Sequence, residues 1–262
     1  MKKVYRDYDQ KALDDQYEQR GWVPNADEII RRYGEKSDLV RRKIGEPRVE
    51  AYGPTPPETL DIYGGGKTAL VFVHGGAWKR QRSRENAFAA EPVVQAGASF
   101  VVLNFALLPE VTLPEMVGQV CRGLEWVRQN LSQHVVLCGH SSGGHLAGCA
   151  VTRIPYIRNA LLVSGIYDLL PVRLSSRNDY VRLDERLEEE YSPIRHVERI
   201  KCPVTVAWAE KESPEFYRQS KELAEKLNAP AIVGEGLNHF EIIETMADPG
   251  SPLGRAALNM LQ

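Results

Sequence analysis

The sequence predicts an α/β fold in which a mostly parallel sheet of about eight strands carries helices on both faces. Six apolar, strand-like runs recur along the chain, at about 69–73, 99–104, 134–138, 160–164, 203–207 and 230–233. Segments with helical spacing separate them, around 84–96, 114–131, 143–153 and 215–227. Unbroken apolar strands that alternate with helices are typical of parallel strands buried on both faces. Because ligands of such sheets bind beyond the carboxyl ends of the strands, functional residues are expected there.

The residues ahead of the first parallel strand predict an arm and an antiparallel hairpin. Residues 1–45 carry many charges at helix-like spacing and are expected to pack on the core as two short helices. Segments 49–52 and 59–63 alternate in polarity and favour a hairpin that adds two strands. The main domain is therefore assigned to 46–262. Within it, the short charged segment at about 166–200 predicts a small helical lid over an open pocket.

The motif Gly139-His140-Ser141-Ser142-Gly143 lies between an apolar strand and a helix-like run. A strand, a tight turn with serine at its tip and a helix together form a nucleophile elbow. Small residues are needed beside the serine because the chain reverses within a few residues. The helix N-terminus favours negative charge that develops near the hydroxyl. Ser141 is therefore the candidate nucleophile.

A second glycine motif follows the first parallel strand, at His74-Gly75-Gly76-Ala77-Trp78. Consecutive glycines allow backbone N–H groups to approach a ligand closely. Together with the N–H of Ser142, those of Gly75 and Gly76 are predicted to bind the oxyanion of a tetrahedral intermediate. A strand-to-loop turn without a ligand is the alternative.

A general base is expected on a loop after a late strand, which selects one of the six histidines. His239 follows the strand-like run 231–233, as the order serine, acid, histidine requires. His74 and His140 are interpreted as shaping the two glycine motifs. His134, His145 and His196 are interpreted as a strand start, a packed helix residue and a surface residue.

The acid that should orient this histidine is ambiguous from spacing alone. Three carboxylates follow the strand near 203–207, namely Glu210, Glu212 and Glu215. A triad acid accepts the imidazole N–H and stabilises the imidazolium. Most charge runs are solvated loops, so at most one of the three is expected to act. Spacing does not choose between Glu210 and Glu212.

The composition predicts an enzyme that needs neither a cofactor nor a metal ion. A net charge of −2 gives no electrostatic footprint for nucleic acid or for an anionic membrane. The zinc signature H-E-x-x-H is absent, and Gly66-Lys67-Thr68 lacks the earlier glycine of a phosphate loop. The N-terminus shows no apolar signal region, so a cytoplasmic protein is expected. The oligomeric state is left open, with a homodimer among the options. Four cysteines lie in apolar stretches without paired spacing and are interpreted as free thiols: Cys121, Cys138, Cys149 and Cys202.

The motifs resemble those of the α/β-hydrolase type of arylformamidase, the kynurenine formamidase family. The resemblance spans most of the chain and departs from the family mainly at Glu212, where aspartate is more frequent. It is carried by Tyr8 and Tyr17 in the arm, HGGAW at 74–78, LLPEVTL at 107–113, GHSSGGHLA at 139–147, SGIYDLLPV at 164–172, ESPEF at 212–216 and NHFEIIE at 238–244.

This resemblance implies an α/β-hydrolase fold and a Ser141–His239–Glu212 triad, because the family acid directly precedes the Ser-Pro pair. It implies hydrolysis of a small aromatic amide, most simply N-formyl-L-kynurenine. Trp78, Tyr167 and Phe240 are then predicted to wall the substrate pocket, with core packing as the alternative for the first two. Three other functions remain open: an amidase for N-acylanthranilates or other aryl acylamides, a carboxylesterase of the hormone-sensitive-lipase type, and a non-catalytic ligand-binding protein.

Overall fold

The computed structural model describes residues 2–262, which form a single eight-stranded sheet in the order β1-β2-β4-β3-β5-β6-β7-β8. β1 and β2 form the antiparallel hairpin and β2 pairs antiparallel with β4, whereas all later pairings are parallel. The predicted fold class is confirmed. The strands are β1 (Arg48–Ala51), β2 (Thr59–Tyr63), β3 (Thr68–Val73), β4 (Ser99–Leu103), β5 (His134–His140), β6 (Asn159–Val163), β7 (Val204–Lys211) and β8 (Ala231–Asn238).

Helices cover both faces of the sheet, and two clusters of buried apolar side chains fill the space between the layers. The central strands are apolar throughout because both of their faces are covered. No helix within residues 2–262 combines the length and the apolar character needed to cross a bilayer. The α-helices are α1 (Gln10–Tyr17), α2 (Gln19–Trp22), α3 (Ala26–Ile44), α4 (Ala90–Gln95), α5 (Leu113–Asn130), α6 (Ser142–Val151), α7 (Leu170–Leu174), α8 (Asn178–Val181), α9 (Glu185–Glu190), α10 (Pro214–Leu227), α11 (Glu241–Glu244) and α12 (Pro252–Asn259).

The N-terminal arm contains three helices, where the sequence predicted two short ones. The Asp9 side chain accepts a hydrogen bond from Ala12 N–H and starts α1. α3 runs for 19 residues and ends at Gly45, whose positive φ of 94° favours glycine. α1 packs on α10, and α3 packs near α4. The long α3 was underestimated because its buried positions, such as Ile29 and Tyr33, are sparse among charged residues.

The segment between β6 and β7 folds into three short helices, α7 to α9, followed by two 3-10 turns. Its ion pairs are largely internal, since Arg195 contacts Asp168, Glu188 and Glu189. His196, predicted to lie at the surface, is instead 9% exposed and donates from Nε2 to the Glu189 carbonyl. We call residues 166–200 the cover.

Candidate active site

Ser141 lies at the sharp turn between β5 and α6. Its backbone adopts φ 57° and ψ −125°, a conformation that a residue with a Cβ rarely tolerates. The flanking glycines allow the turn to pack closely. A Cβ at Gly143 would lie 2.1 Å from the Val73 carbonyl oxygen, and one at Gly139 would lie 2.3 Å from that of Gly143. These contacts explain why the motif needs glycine on both sides of the serine.

His239 lies between Ser141 and Glu212 and is hydrogen-bonded to both. Its Nε2 is 2.9 Å from Ser141 Oγ, and its Nδ1 is 2.9 Å from Glu212 Oε1. Since a carboxylate only accepts, Nδ1–H donates to Glu212 and Nε2 accepts from the serine hydroxyl. The three side chains lie at or just after the carboxyl ends of β5, β7 and β8, and these strand ends are on the same side of the sheet. This is the geometry that activates a serine nucleophile.

The structure distinguishes the two carboxylates that the sequence left open. Glu212 is 7% exposed and contacts His239, whereas Glu210 is exposed and accepts a hydrogen bond from Gly236 N–H. The pairing of β7 with β8 is irregular between Ala209 and Lys211, and the strand ends at Lys211. Two residues apart in sequence, the carboxylates therefore point into different environments.

Burial sets the protonation of the base. Desolvation, helped by the positive charge of Arg177, lowers the pKa of His239 below its ordinary value, so the imidazole is neutral at neutral pH and ready to accept a proton. Desolvation likewise raises the pKa of Glu212, an effect that the Ser164 hydroxyl opposes. When His239 becomes an imidazolium, its positive charge stabilises the Glu212 carboxylate.

The loop 74–78 lies against the elbow. A Cβ at Gly75 would be 3.0 Å from Ser141 Cβ, and Gly76 has a positive φ of 108°. Trp78 N–H donates to Ser142 Oγ at 3.1 Å, so the second serine of the elbow anchors the loop. Within residues 2–262 the backbone N–H groups of Gly75, Gly76 and Ser142 have no hydrogen-bond acceptor. These unpaired donors are the groups that the sequence predicts for an oxyanion hole.

Ser141 and His239 open onto a cavity of about 660 Å³. Gly76, predicted for the oxyanion hole, and Phe240, predicted for the pocket, both line it. His140 lines it as well, although sequence reasoning gave it only a role in the turn. Its Nε2–H donates to the carbonyl of His239 at 2.9 Å, which ties the elbow to the loop that carries the base.

Trp78 and Tyr167 do not line this cavity, so their prediction as pocket residues is corrected. Trp78 is 1% exposed, and its Nε1–H donates to His145 Nδ1 at 3.2 Å. Tyr167 is fully buried, and its hydroxyl accepts from Gly165 N–H at 3.2 Å. Both aromatic rings therefore face the core. From there they support the loops in which they lie, and loops that carry reacting groups need such rigid support.

Much of the cavity wall comes from the arm, which the sequence predicted only to pack on the core, and from the cover, which it predicted as a lid over the pocket. Gln19 and Tyr33 of the arm line it, as do Arg177 and Tyr180 of the cover. Tyr33 also donates its hydroxyl hydrogen to the Phe240 carbonyl at 2.6 Å. The position of the cover between two strands predicted its place over the pocket, but no motif singled out Gln19, Tyr33, Arg177 or Tyr180 as wall residues.

The arm also supports the segment that carries the acid. Gln19 Nε2 donates to Ser213 Oγ at 2.7 Å, and Ser213 Oγ donates to the Gln16 carbonyl at 2.6 Å. Gln16 Oε1 accepts from Glu215 N–H. These buried contacts fix the position of the chain immediately after Glu212.

Metal-binding geometry is absent from the part of the chain that the structure describes. Residues 2–262 contain no group of three or more His, Cys, Asp or Glu side chains placed to hold a metal ion. All four cysteines are free thiols, and burial raises the pKa of each, including Cys149 beside His145.

Comparison with known proteins supports the same fold and family. A family model described as the alpha/beta hydrolase fold matches residues 70–234. The chain is 33% identical to kynurenine formamidase of Danio rerio over 95% of both chains, and 31% identical to kynurenine formamidase of Salmo salar over 98% of both. A proposed thioesterase from Silicibacter superposes with a TM-score of 0.85 at 26% identity, covering 95% of this chain and 98% of that one. An esterase from Pyrobaculum calidifontis, at 19% identity and a TM-score of 0.67 over 94% of each chain, shows the fold alone.

Proposed function

The chain belongs to the kynurenine formamidase family of α/β hydrolases and is an amide hydrolase of that type, and from this premise we propose that it hydrolyses N-formyl arylamines through Ser141, His239 and Glu212. N-formyl-L-kynurenine is the substrate that we propose, with formate and kynurenine as products. The observation that carries the proposal is the hydrogen-bonded chain from Ser141 Oγ through His239 to Glu212, at the floor of a cavity of about 660 Å³.

In the first half-reaction, Ser141 Oγ forms a bond to the formyl carbon while His239 Nε2 takes the hydroxyl proton. The carbonyl oxygen becomes an oxyanion, and the N–H groups of Ser142 and of Gly75 or Gly76 bind it. The intermediate then collapses. The C–N bond breaks, and the imidazolium gives its proton to the departing nitrogen, so a neutral arylamine leaves.

In the second half-reaction, water attacks the formyl ester of Ser141. His239 removes a proton from this water and returns it to Ser141 Oγ as the C–O bond breaks, which releases formate. Glu212 accepts the Nδ1–H bond throughout and stabilises each imidazolium. An arylamine suits this scheme because delocalisation of its nitrogen lone pair into the ring makes it a better leaving group than an alkylamine.

The size of the cavity favours a second candidate, an amidase for longer N-acyl arylamines. A formyl group occupies a small part of about 660 Å³, so an acyl chain has room beyond the serine. N-acylanthranilates are substrates of this type. The catalytic residues and the chemistry would be the same, and only the preferred acyl length would differ.

An acyl-length series on one arylamine tests the proposal. Values of kcat/KM for N-formyl-, N-acetyl- and N-octanoyl-anthranilate, with N-formyl-kynurenine alongside, separate the candidates. Formyl preference supports the formamidase, and preference for acetyl or octanoyl supports the amidase. The ratio of kcat/KM for a formanilide to kcat/KM for the matching phenyl formate tests the carboxylesterase alternative. A preference for the amide excludes it, and a strong preference for the ester supports it. Absence of turnover of every amide would contradict the proposal.

A further inference from the structure

Within residues 2–262, three cations of the cavity wall form no ion pair: Arg177 of the cover, and Lys79 and Arg80, which follow the loop 74–78. Arg177 and Lys79 both line the cavity, and Tyr180 lies between them. Arg177 Nη1 donates to the Tyr180 hydroxyl at 3.2 Å, and Lys79 Nζ lies 4.2 Å from the centre of the Tyr180 ring. We call these three residues the cationic shelf.

Arg177 is half-buried and is held in place by backbone and phenol groups. Its Nη2 donates to the Tyr17 carbonyl of the arm, in addition to the Tyr180 contact. A guanidinium has five N–H donors, so these bonds leave three available. Its charge also lowers the pKa of His239, which places it within electrostatic reach of the base.

Neither cation of the shelf is neutralised by the protein. Among residues 2–262 no carboxylate lies within 4.0 Å of Arg177 or Lys79, whereas Arg20, at the same cavity, pairs with Asp27. A half-buried guanidinium that is fixed in position and unpaired is suited to bind a carboxylate, because its planar donors match the two oxygens.

An unpaired acid lies beside the shelf. Glu18 lines the same cavity as the shelf. Desolvation raises the pKa of Tyr180, and the negative charge of Glu18 adds to this rise. Within residues 2–262 no cation forms an ion pair with Glu18. Asp179, exposed beside Tyr180, is a second acid of the wall that forms no ion pair within residues 2–262. Cations and acids that are unpaired in one cavity form a complement to a group that carries both charges.

We propose that the cationic shelf binds the carboxylate of an α-amino-acid head on the substrate, with Glu18 as acceptor for its ammonium group. This inference rests on the proposed function, since it takes the formamide to be at Ser141, and it names the head group that this part of the cavity wall selects. Arg177 is then a specificity residue for zwitterionic N-formyl arylamines.

The test compares two substrates that differ only in this head group. N-formyl-kynurenine carries it, and 2-formamidoacetophenone has the same ring, ketone and formamide without it. In Arg177→Gln we expect kcat/KM for N-formyl-kynurenine to fall about 10- to 100-fold, mainly through KM, and to fall far less for 2-formamidoacetophenone. Lys79→Met, at an exposed position, should lower the ratio of kcat/KM for N-formyl-kynurenine to kcat/KM for 2-formamidoacetophenone about threefold.

Two further variants separate charge recognition from support of the arm. Arg182→Gln removes an exposed arginine of the cover that does not line the cavity, and its substrate ratio should equal that of the wild type. Arg177→Lys keeps the charge and should retain part of the preference even if the Tyr17 contact is lost. The inference would be overturned if Arg177→Gln lowered kcat/KM equally for both substrates and Lys79→Met left the ratio of the two kcat/KM values unchanged. Failure of the wild-type enzyme to hydrolyse either formamide would instead contradict the proposed function.

Discussion

Two parts of the cavity wall are built in different ways. The catalytic floor consists of Ser141, Glu212, His239 and the loop 74–78; Glu212 and His239 are buried, and His239 is hydrogen-bonded to both other members of the triad. The roof consists of the lining residues within 18–33 of the arm and 176–180 of the cover, and its charged side chains are partly exposed and include the unpaired Arg177. In the proposed function the floor carries out the reaction, and in the proposed recognition of the head group the charges of the roof select among substrates.

The difference has its origin in the sheet. The parallel pairing of the strands positions the floor. Val73 pairs with Gly139 and Val163 pairs with Ala207, so the carboxyl ends of these strands lie side by side. The roof is placed by contacts across about 200 residues of chain, such as Tyr33 with Phe240 and Gln19 with Ser213. The comparison teaches that strand register places the floor, whereas tertiary packing between distant segments places the roof.

Ser141→Ala should have the largest effect, because it removes the nucleophile of the floor. We expect kcat for N-formyl-kynurenine to fall about 10,000-fold or more. Formate release measures it. Ser132→Ala is the matched control, because Ser132 precedes the amino end of the same strand and its hydroxyl bonds only to backbone groups there. Comparable turnover in Ser141→Ala and Ser132→Ala would place the nucleophile elsewhere.

Glu212→Gln should lower kcat about 1,000-fold, because an amide accepts the Nδ1–H bond without stabilising the imidazolium. Glu210→Gln is the control, since this exposed carboxylate contacts only Gly236 N–H near the site. Steady-state kinetics of both variants measures the difference. If Glu210→Gln were the more impaired of the two, the triad acid would have to be reassigned.

Ser142→Ala should lower kcat about tenfold, less than the full loss of an oxyanion donor. The Ser142 hydroxyl accepts from Trp78 N–H, so its removal loosens the loop 74–78 while the backbone donors remain. KM should change little because the contact is made within the protein. An unchanged kcat would show that the loop needs no such anchor.

Tyr33→Phe should have the smallest effect on rate, because it breaks a bond between roof and floor without touching the reacting groups. Loss of the hydrogen bond to the Phe240 carbonyl should lower the free energy of unfolding by about 1 to 2 kcal/mol, with kcat within about threefold. Urea unfolding measures it. Tyr217→Phe, at an exposed tyrosine of α10, is expected to leave the stability unchanged. A large loss of kcat in Tyr33→Phe would mean that the roof also orders the floor.

The sequence predicted the floor well because its motifs have local steric causes. The elbow needs Gly139 and Gly143 since a Cβ at either would meet backbone oxygens, and such needs are visible in five residues. The choice of Glu212 over Glu210 was not accessible from spacing, because it depends on where β7 ends and on its irregular pairing. The resemblance to a family supplied that choice, and the geometry agrees with it.

The pocket walls were predicted poorly, for a physical reason that Trp78 and Tyr167 illustrate. An aromatic residue beside a catalytic motif can face the cavity or the core, and one-dimensional spacing does not give its direction. Both rings face the core and hold loops through His145 and Gly165. Arg177 went unnoticed because it lies in a charged segment that has no motif, and only tertiary packing brings it to the site.

The most direct measurement follows the activity as Ser141 is titrated with a fluorophosphonate. The account predicts that hydrolysis of N-formyl-kynurenine falls in proportion to the fraction of Ser141 that peptide mapping finds labelled. It also predicts that N-formyl-kynurenine slows the labelling. Enzyme that is fully labelled at Ser141 and still releases formate would contradict the account.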